Sequence, residues 1–149
     1  MYHMVQHVSV EAVSPVAAGA LYALLKEPTT WKSWSPMDES GPGEPAADDP
    51  NGVGSTRTFT KGRVRGIDKV VELVPDRRFS YEHVHGLPLR DYRGDVDLEP
   101  VADGTRILWQ ASFRTKIPGT GWFWRIGIRR FLQQMADGLA AYQPVATDS

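Results

Sequence analysis

Residues 121–142 read GWFWRIGIRRFLQQMADGLAAY and predict one long amphipathic helix. Its apolar side chains recur at helical spacing within a stripe about 100° wide, while Arg129, Gln133 and Asp137 lie outside that stripe. The stripe comprises Trp124, Ile128, Phe131, Leu132, Met135, Leu139 and Tyr142. No other stretch predicts a long helix, so a helical bundle cannot bury these side chains. We therefore expect the helix to pack on a β-sheet that the preceding residues form.

Five stretches before this helix alternate apolar and polar residues and are separated by Gly, Pro and Asp turns, which predicts an antiparallel meander. They are residues 53–61, 64–74, 78–84, 89–99 and 105–116. A further strand is expected over residues 2–13. Residues 37–52 are rich in proline, glycine and acidic residues, and they predict an exposed loop.

Two short helices are predicted between the first strand and that loop. Ser14-Pro15 indicates a helix start, because Ser can cap free amides and Pro is tolerated in the first turn. Pro28 ends this helix, and a second one follows over residues 29–34. The order contains no alternating βαβ units, which favours an α+β fold in one domain, residues 1–149, with a curved antiparallel sheet around the C-terminal helix.

Composition excludes several classes of function. A net charge of −1 and a pI near 6.4 provide no general attraction for nucleic acid or an anionic membrane. There is no cysteine, which excludes disulfides and thiol catalysis. The N-terminal residues lack a signal-peptide pattern, and no stretch approaches the ~20 apolar residues of a membrane span. We expect a cytoplasmic protein, monomeric or homodimeric, with no nucleic-acid partner and no membrane insertion.

Motifs for a metal or a cofactor are also missing. His83 and His85 would share one face of a strand but have no third ligand at a recognisable spacing. The glycines match neither phosphate-loop nor dinucleotide patterns, and no Gly-x-Ser-x-Gly nucleophile elbow occurs. The sequence therefore predicts neither metal nor cofactor.

Five phrases in this order resemble the START-like (SRPBCC) superfamily, of the polyketide cyclase/dehydrase and lipid-transport type. They are VSPV (13–16), WKSWSP (31–36), GVGS (52–55), VVELVP (70–75) and DGTRI (103–107). The resemblance implies the helix-grip, Bet v 1-like fold, with a large apolar cavity between the sheet and the C-terminal helix. It implies binding of a lipid, polyketide or other hydrophobic ligand more strongly than it implies a reaction, although some members are aromatases and cyclases.

Residues 86–88, Gly-Leu-Pro, are similar to the gate loop that closes over hormone in the abscisic acid receptors of this superfamily. This similarity implies that Leu87 and Pro88 contact a ligand. The alternative is an ordinary turn between strands, which needs no ligand.

Strand alternation predicts which side chains face the cavity. The inward set includes Phe59, Tyr81, His83, Tyr92, Trp109 and Phe113, and the same parity turns Arg57 and Lys69 inward. A desolvated guanidinium favours a carboxylate, phosphate or polarised carbonyl, so Arg57 is predicted to anchor a ligand. Alternatively, Arg57 pairs with an acidic residue or reaches solvent at the sheet edge.

Trp122, Phe123 and Ile126 are displaced from the main helical stripe and fall in its first turns. They are predicted to line the cavity mouth, or else to pack against loops or form a dimer contact.

Three functions remain open from the sequence. The first is non-covalent carriage or sensing of a hydrophobic small molecule. The second is a polyketide-type aromatase/cyclase or dehydratase, in which Tyr81, His83 or Tyr92 exchanges protons with the substrate. The third is an interaction protein with a filled core.

Overall fold

A computed structural model describes residues 5–143 and contains a seven-stranded antiparallel sheet with three helices. The strands are β1 (Gln6–Ser14), β2 (Glu39–Pro42), β3 (Thr56–Lys61), β4 (Val64–Val74), β5 (Arg78–His85), β6 (Leu89–Val101) and β7 (Gly104–Thr115). The helices are α1 (Ala18–Lys26), α2 (Trp31–Trp34) and α3 (Gly121–Ala141), with a 3-10 turn over Pro28–Thr30. The strand order is β1-β7-β6-β5-β4-β3-β2. The predicted helix-grip fold is confirmed.

Two local predictions were wrong. The expected loop over residues 37–52 contains β2, which pairs with β3 through Pro42 opposite Arg57. Proline is tolerated there because β2 is the edge strand of the sheet. Ser14 does not cap a helix: it ends β1, its Oγ accepts a hydrogen bond from the Val16 amide, and α1 begins at Ala18. The predicted start of the first strand at residue 2 lies outside the described residues.

The C-terminal two-thirds of α3 is buried against β1, β7 and α2. Its buried residues are Ile128, Leu132, Met135, Ala136, Leu139 and Ala140. From the predicted stripe, Trp124, Phe131 and Tyr142 are only partly buried. In the first turns Trp122, Phe123 and Ile126 are each more than half exposed. The helix is thus fixed at one end, and its other end covers less of the sheet.

Gly138 permits the closest approach of α3 to α2. A Cβ at this position would collide with the backbone carbonyl oxygen of Trp34. We expect Gly138→Ala to lower the free energy of unfolding by about 1–3 kcal/mol, because the two backbones must separate. Urea denaturation measures this change.

Gly127 provides the matched control on the same helix, since a Cβ there meets no atom within 4 Å. Gly127→Ala should raise stability by up to about 1 kcal/mol through helix propensity alone. Equal destabilisation by both substitutions would contradict the close-approach explanation.

Candidate functional site

A cavity of about 440 Å³ lies between α3 and the inner face of the sheet. This volume falls within the range of small-molecule sites. The apolar part of its lining comprises Trp31, Met37, Phe59, Val64, Leu87, Phe123, Trp124, Ile128, Phe131 and Met135. Exposed Lys61 and Gly62, at the β3–β4 turn, also belong to the lining, so the cavity reaches the surface there.

A group of polar side chains occupies one wall of this cavity. Asp68 on β4 lies opposite His83 on β5, because the two residues pair across the sheet. His83 Nδ1 is 2.8 Å from Asp68 Oδ1, and the Leu87 amide donates to His83 Nε2 at 2.9 Å. An amide can only donate, so Nε2 carries a lone pair and Nδ1 carries the proton. His83 is therefore a neutral tautomer that donates to the Asp68 carboxylate.

Burial shapes the electrostatics of Asp68, which is 7% exposed. The pKa of this carboxyl group is raised above that of an ordinary aspartate, because desolvation outweighs the His83 hydrogen bond and the positive charge of Arg57 that oppose it. His83 and Arg57 thus favour the ionised carboxylate, whereas burial disfavours it.

Tyr81 and Tyr92 complete the polar wall. Trp109 Nε1 donates to the Tyr81 hydroxyl at 3.1 Å, and the Tyr92 ring stacks on Phe113 with centroids 5.7 Å apart. Burial raises the pKa of both phenols well above the ordinary tyrosine value. Both side chains are consequently neutral at physiological pH.

The Tyr81 ring lies across β6 at Gly94, its partner in the strand register. A Cβ at Gly94 would overlap the Tyr81 ring. The glycine therefore provides the space that turns this phenol toward Trp109.

The loop between β5 and β6 closes part of the cavity. Gly86 has a φ of +128°, and a Cβ there would strike the backbone of Arg65 and Gly66. Glycine is thus required both for the backbone conformation and for the close approach to β4. The Leu87 side chain belongs to the lining, and the Leu87 amide donates its hydrogen bond to His83.

Arg57 has a structural role that differs from its predicted one. Its Nη1 and Nη2 donate to the carbonyls of Leu25 and Lys26 at 2.8 and 2.9 Å, and its guanidinium lies over the Phe79 ring. Burial lowers the pKa of Arg57 to about 10, so it stays charged at neutral pH. It does not line the cavity. Arg57 therefore joins β3 to the C-terminal end of α1, where a cation is electrostatically favoured.

Of the predicted site residues, Phe59, Tyr81, His83, Leu87, Tyr92 and Phe123 come together on the cavity wall. Trp109 and Phe113 are fully buried in the core next to the polar wall. Pro88, Trp122 and Ile126 lie outside the lining, and all three are exposed.

The prediction that Lys69 faces the interior was wrong, since this side chain is exposed. Alternation in β4 turns Gly66, Asp68 and Val70 inward, and a register shift between Val70 and Glu72 then reverses the parity. The prediction grouped Lys69 with Ile67, Val71 and Leu73, of which Leu73, beyond this shift, packs against the core. The same choice of parity placed Asp68 on the outer face, although it shares the inner face with Gly66 and Val70 in the first half of the strand.

Two classes of feature are absent from the described residues. Within residues 5–143, no three His, Asp or Glu side chains are grouped so that they could hold a metal ion. No helix in that range is long and apolar enough to cross a membrane.

The sheet, the long helix and the cavity between them define a helix-grip protein of the START-like (SRPBCC) superfamily. A family model described as polyketide cyclase / dehydrase and lipid transport matches residues 5–143. The chain belongs to this family. No curated protein sequence matches it significantly.

Solved structures agree on the fold at low sequence identity. Ara h 8.0201 is 16% identical with a TM-score of 0.70, over 93% of this chain and 97% of the other. Ginseng major latex-like protein 151 from Panax ginseng is 11% identical with a TM-score of 0.72, over 95% and 99%. The di-domain ARO/CYC StfQ from the steffimycin biosynthetic pathway is 14% identical with a TM-score of 0.75, over 94% of this chain and 51% of StfQ.

We expect Arg57→Met to lower the free energy of unfolding by about 2–4 kcal/mol, because two carbonyls lose a charged donor. Binding of a purely apolar ligand per folded molecule should not change, because Arg57 does not line the cavity. Arg65→Met removes an exposed cation from the neighbouring strand and should alter stability little. Loss of ligand affinity in folded Arg57→Met would instead support the anchor role predicted from the sequence.

A second prediction concerns the hydrogen bond between His83 and Leu87. His83→Phe removes the acceptor, so hydrogen exchange at the Leu87 amide should accelerate at least about tenfold relative to the Trp109 amide. Exchange measured by NMR separates this local effect from general destabilisation. Exposed His85, on the same strand, supplies the control variant His85→Phe. Unchanged Leu87 exchange in His83→Phe would show that the loop does not depend on this bond.

Proposed function

We propose that the protein binds a hydrophobic small molecule, such as a lipid or polyketide, non-covalently in the cavity beneath α3. The observation that carries this proposal is the lining: a mainly apolar surface around about 440 Å³, with its buried polar groups collected on one wall. Such a wall fixes the orientation of a ligand whose remaining surface is apolar. The family to which the chain belongs is described by polyketide chemistry and lipid transport, which supports this class of ligand.

The state of the candidate acid–base groups favours binding over catalysis. Both His83 nitrogens are engaged, one with Asp68 and one with Leu87, so neither is free to exchange a proton with a ligand while the loop is closed. The raised pKa values of Tyr81 and Tyr92 make both phenols weaker acids than ordinary tyrosine. These facts weigh against an aromatase/cyclase or dehydratase that uses these three residues.

The lining of the cavity weighs against an interaction protein with a filled core. The space beneath α3 opens at the β3–β4 turn and is lined mainly by apolar side chains, so the protein itself leaves part of its apolar inner face uncovered. Exposed Trp122 and Ile126 remain candidates for a contact surface beside the mouth.

The proposal is tested with N-phenyl-1-naphthylamine, a neutral probe that fluoresces in apolar surroundings. We expect delipidated protein to bind it and to show a raised melting temperature. Gly127 lies on the cavity wall with open space around its Cβ position, so Gly127→Phe should fill the space and weaken binding at least about tenfold.

Arg130→Phe places the same side chain at an exposed position of α3 outside the lining and should leave binding unchanged. Absence of probe binding by wild-type protein, or equal binding by Gly127→Phe, would overturn the proposal.

A further inference from the structure

Asp68 presents one carboxylate oxygen for which the described residues supply no donor. The single hydrogen bond of this side chain within residues 5–143 joins Oδ1 to His83. The side chain is 9% exposed and lies on the cavity wall. A carboxylate accepts hydrogen bonds at both oxygens. Among the described residues, Arg57 Nε is the one fully buried polar side-chain atom without a partner, so the second Asp68 oxygen is accessible from the cavity. The cavity thus contains a strong acceptor that an occupant can satisfy.

We propose that Asp68 makes the cavity selective for apolar molecules bearing a hydroxyl or N–H donor, and that it rejects ligands bearing a carboxylate, such as free fatty acids. This inference rests on the proposed binding function. It specifies the polar end of the ligand: a phenol, alcohol or amine whose donor reaches Asp68 Oδ2, with the apolar frame extending toward Phe123 and Phe131.

The hydrogen bond from His83 and the positive charge of Arg57 favour the ionised form of Asp68 against its desolvation. The Leu87 amide fixes the proton of His83 on Nδ1, and that proton is donated to Asp68 Oδ1. Arg57 pairs with Asp68 in the register of β3 and β4 and adds a nearby positive charge, but its own hydrogen bonds go to the Leu25 and Lys26 carbonyls. The cation therefore supports ionisation of Asp68 without lining the cavity.

Arg57 offsets part of this negative charge from behind the wall, and it does not line the cavity. Along the lining, the second charged residue is Lys61, which is exposed at the rim and screened by water. The residues that α3 contributes to the lining carry no charge. Tyr81 and Tyr92 are neutral phenols. A ligand carboxylate beside Asp68 would thus meet like charge in a poorly solvated place, where repulsion is strong.

Three compounds with one ring system test the inference: 2-naphthol, 2-methylnaphthalene and 2-naphthoate. Their affinities at pH 7 are measured by displacement of N-phenyl-1-naphthylamine. Wild-type protein should bind 2-naphthol about tenfold or more tightly than 2-methylnaphthalene, because a hydrogen bond to a charged group is a strong one. It should bind 2-naphthoate most weakly of the three.

Asp68→Asn removes the charge and replaces the free acceptor with an amide group. In this variant the preference for 2-naphthol should fall to within about threefold of 2-methylnaphthalene, and 2-naphthoate should bind more tightly than to wild type. Asp137→Asn removes an exposed carboxylate of α3 outside the lining and should preserve the wild-type order.

The order in which wild-type protein binds the three compounds tests the inference even if Asp68→Asn fails to fold. Binding of 2-naphthoate as tightly as 2-naphthol, including binding through Lys61 at the rim, would overturn the selectivity while leaving the binding function intact. Displacement of the probe by none of the three compounds would also overturn it. Failure of the probe itself to bind would instead remove the proposed function on which the inference rests.

Discussion

Burial of one face of α3 is the constraint on which the rest of the structure depends. The helix packs on β1, β7 and α2, and at Gly138 its backbone lies directly against the Trp34 carbonyl. This contact fixes the C-terminal end of the helix, whereas the first turns remain largely exposed. The space between those turns and strands β3 to β6 is the cavity. The packing of α3 thus has two results: its C-terminal end is held tightly, and its first turns leave part of the sheet uncovered.

The buried charges divide into a structural group and a cavity group. Arg57 uses its guanidinium to hold the last carbonyls of α1, and its Nε is buried without a hydrogen-bond partner among the described residues. Asp68 faces the other way, toward the cavity, and connects through His83 to the amide of Leu87. The two residues are strand neighbours, so the charge of one stabilises the other although their hydrogen-bond partners are unrelated.

Much of the fold could be predicted from sequence because periodicity reports burial directly. Strand β7 alternates without irregularity, and Ile107, Trp109 and Phe113 are all buried as expected. In β4 the register shift after Val70 broke the alternation, which concealed Asp68 and misplaced Lys69. The partners of Arg57 are backbone carbonyls some thirty residues away in the chain, and no side-chain pattern marks them. Cavity positions that depend on regular strands were thus predictable, whereas those set by a bulge or by backbone acceptors were not.

The connection from Asp68 through His83 to Leu87 has a kinetic consequence. In the proposed complex the ligand contacts one end of this connection, and the β5–β6 loop that covers part of the cavity is held at the other end. The preference among ligands then depends on the Asp68 carboxylate, whereas the time that a ligand stays bound depends on the hydrogen bond between His83 and the Leu87 amide. Sequence changes at residues 86–88 could alter how quickly an occupant exchanges without altering which occupant is preferred, and a carrier could thereby become a slow-release store with the same selectivity.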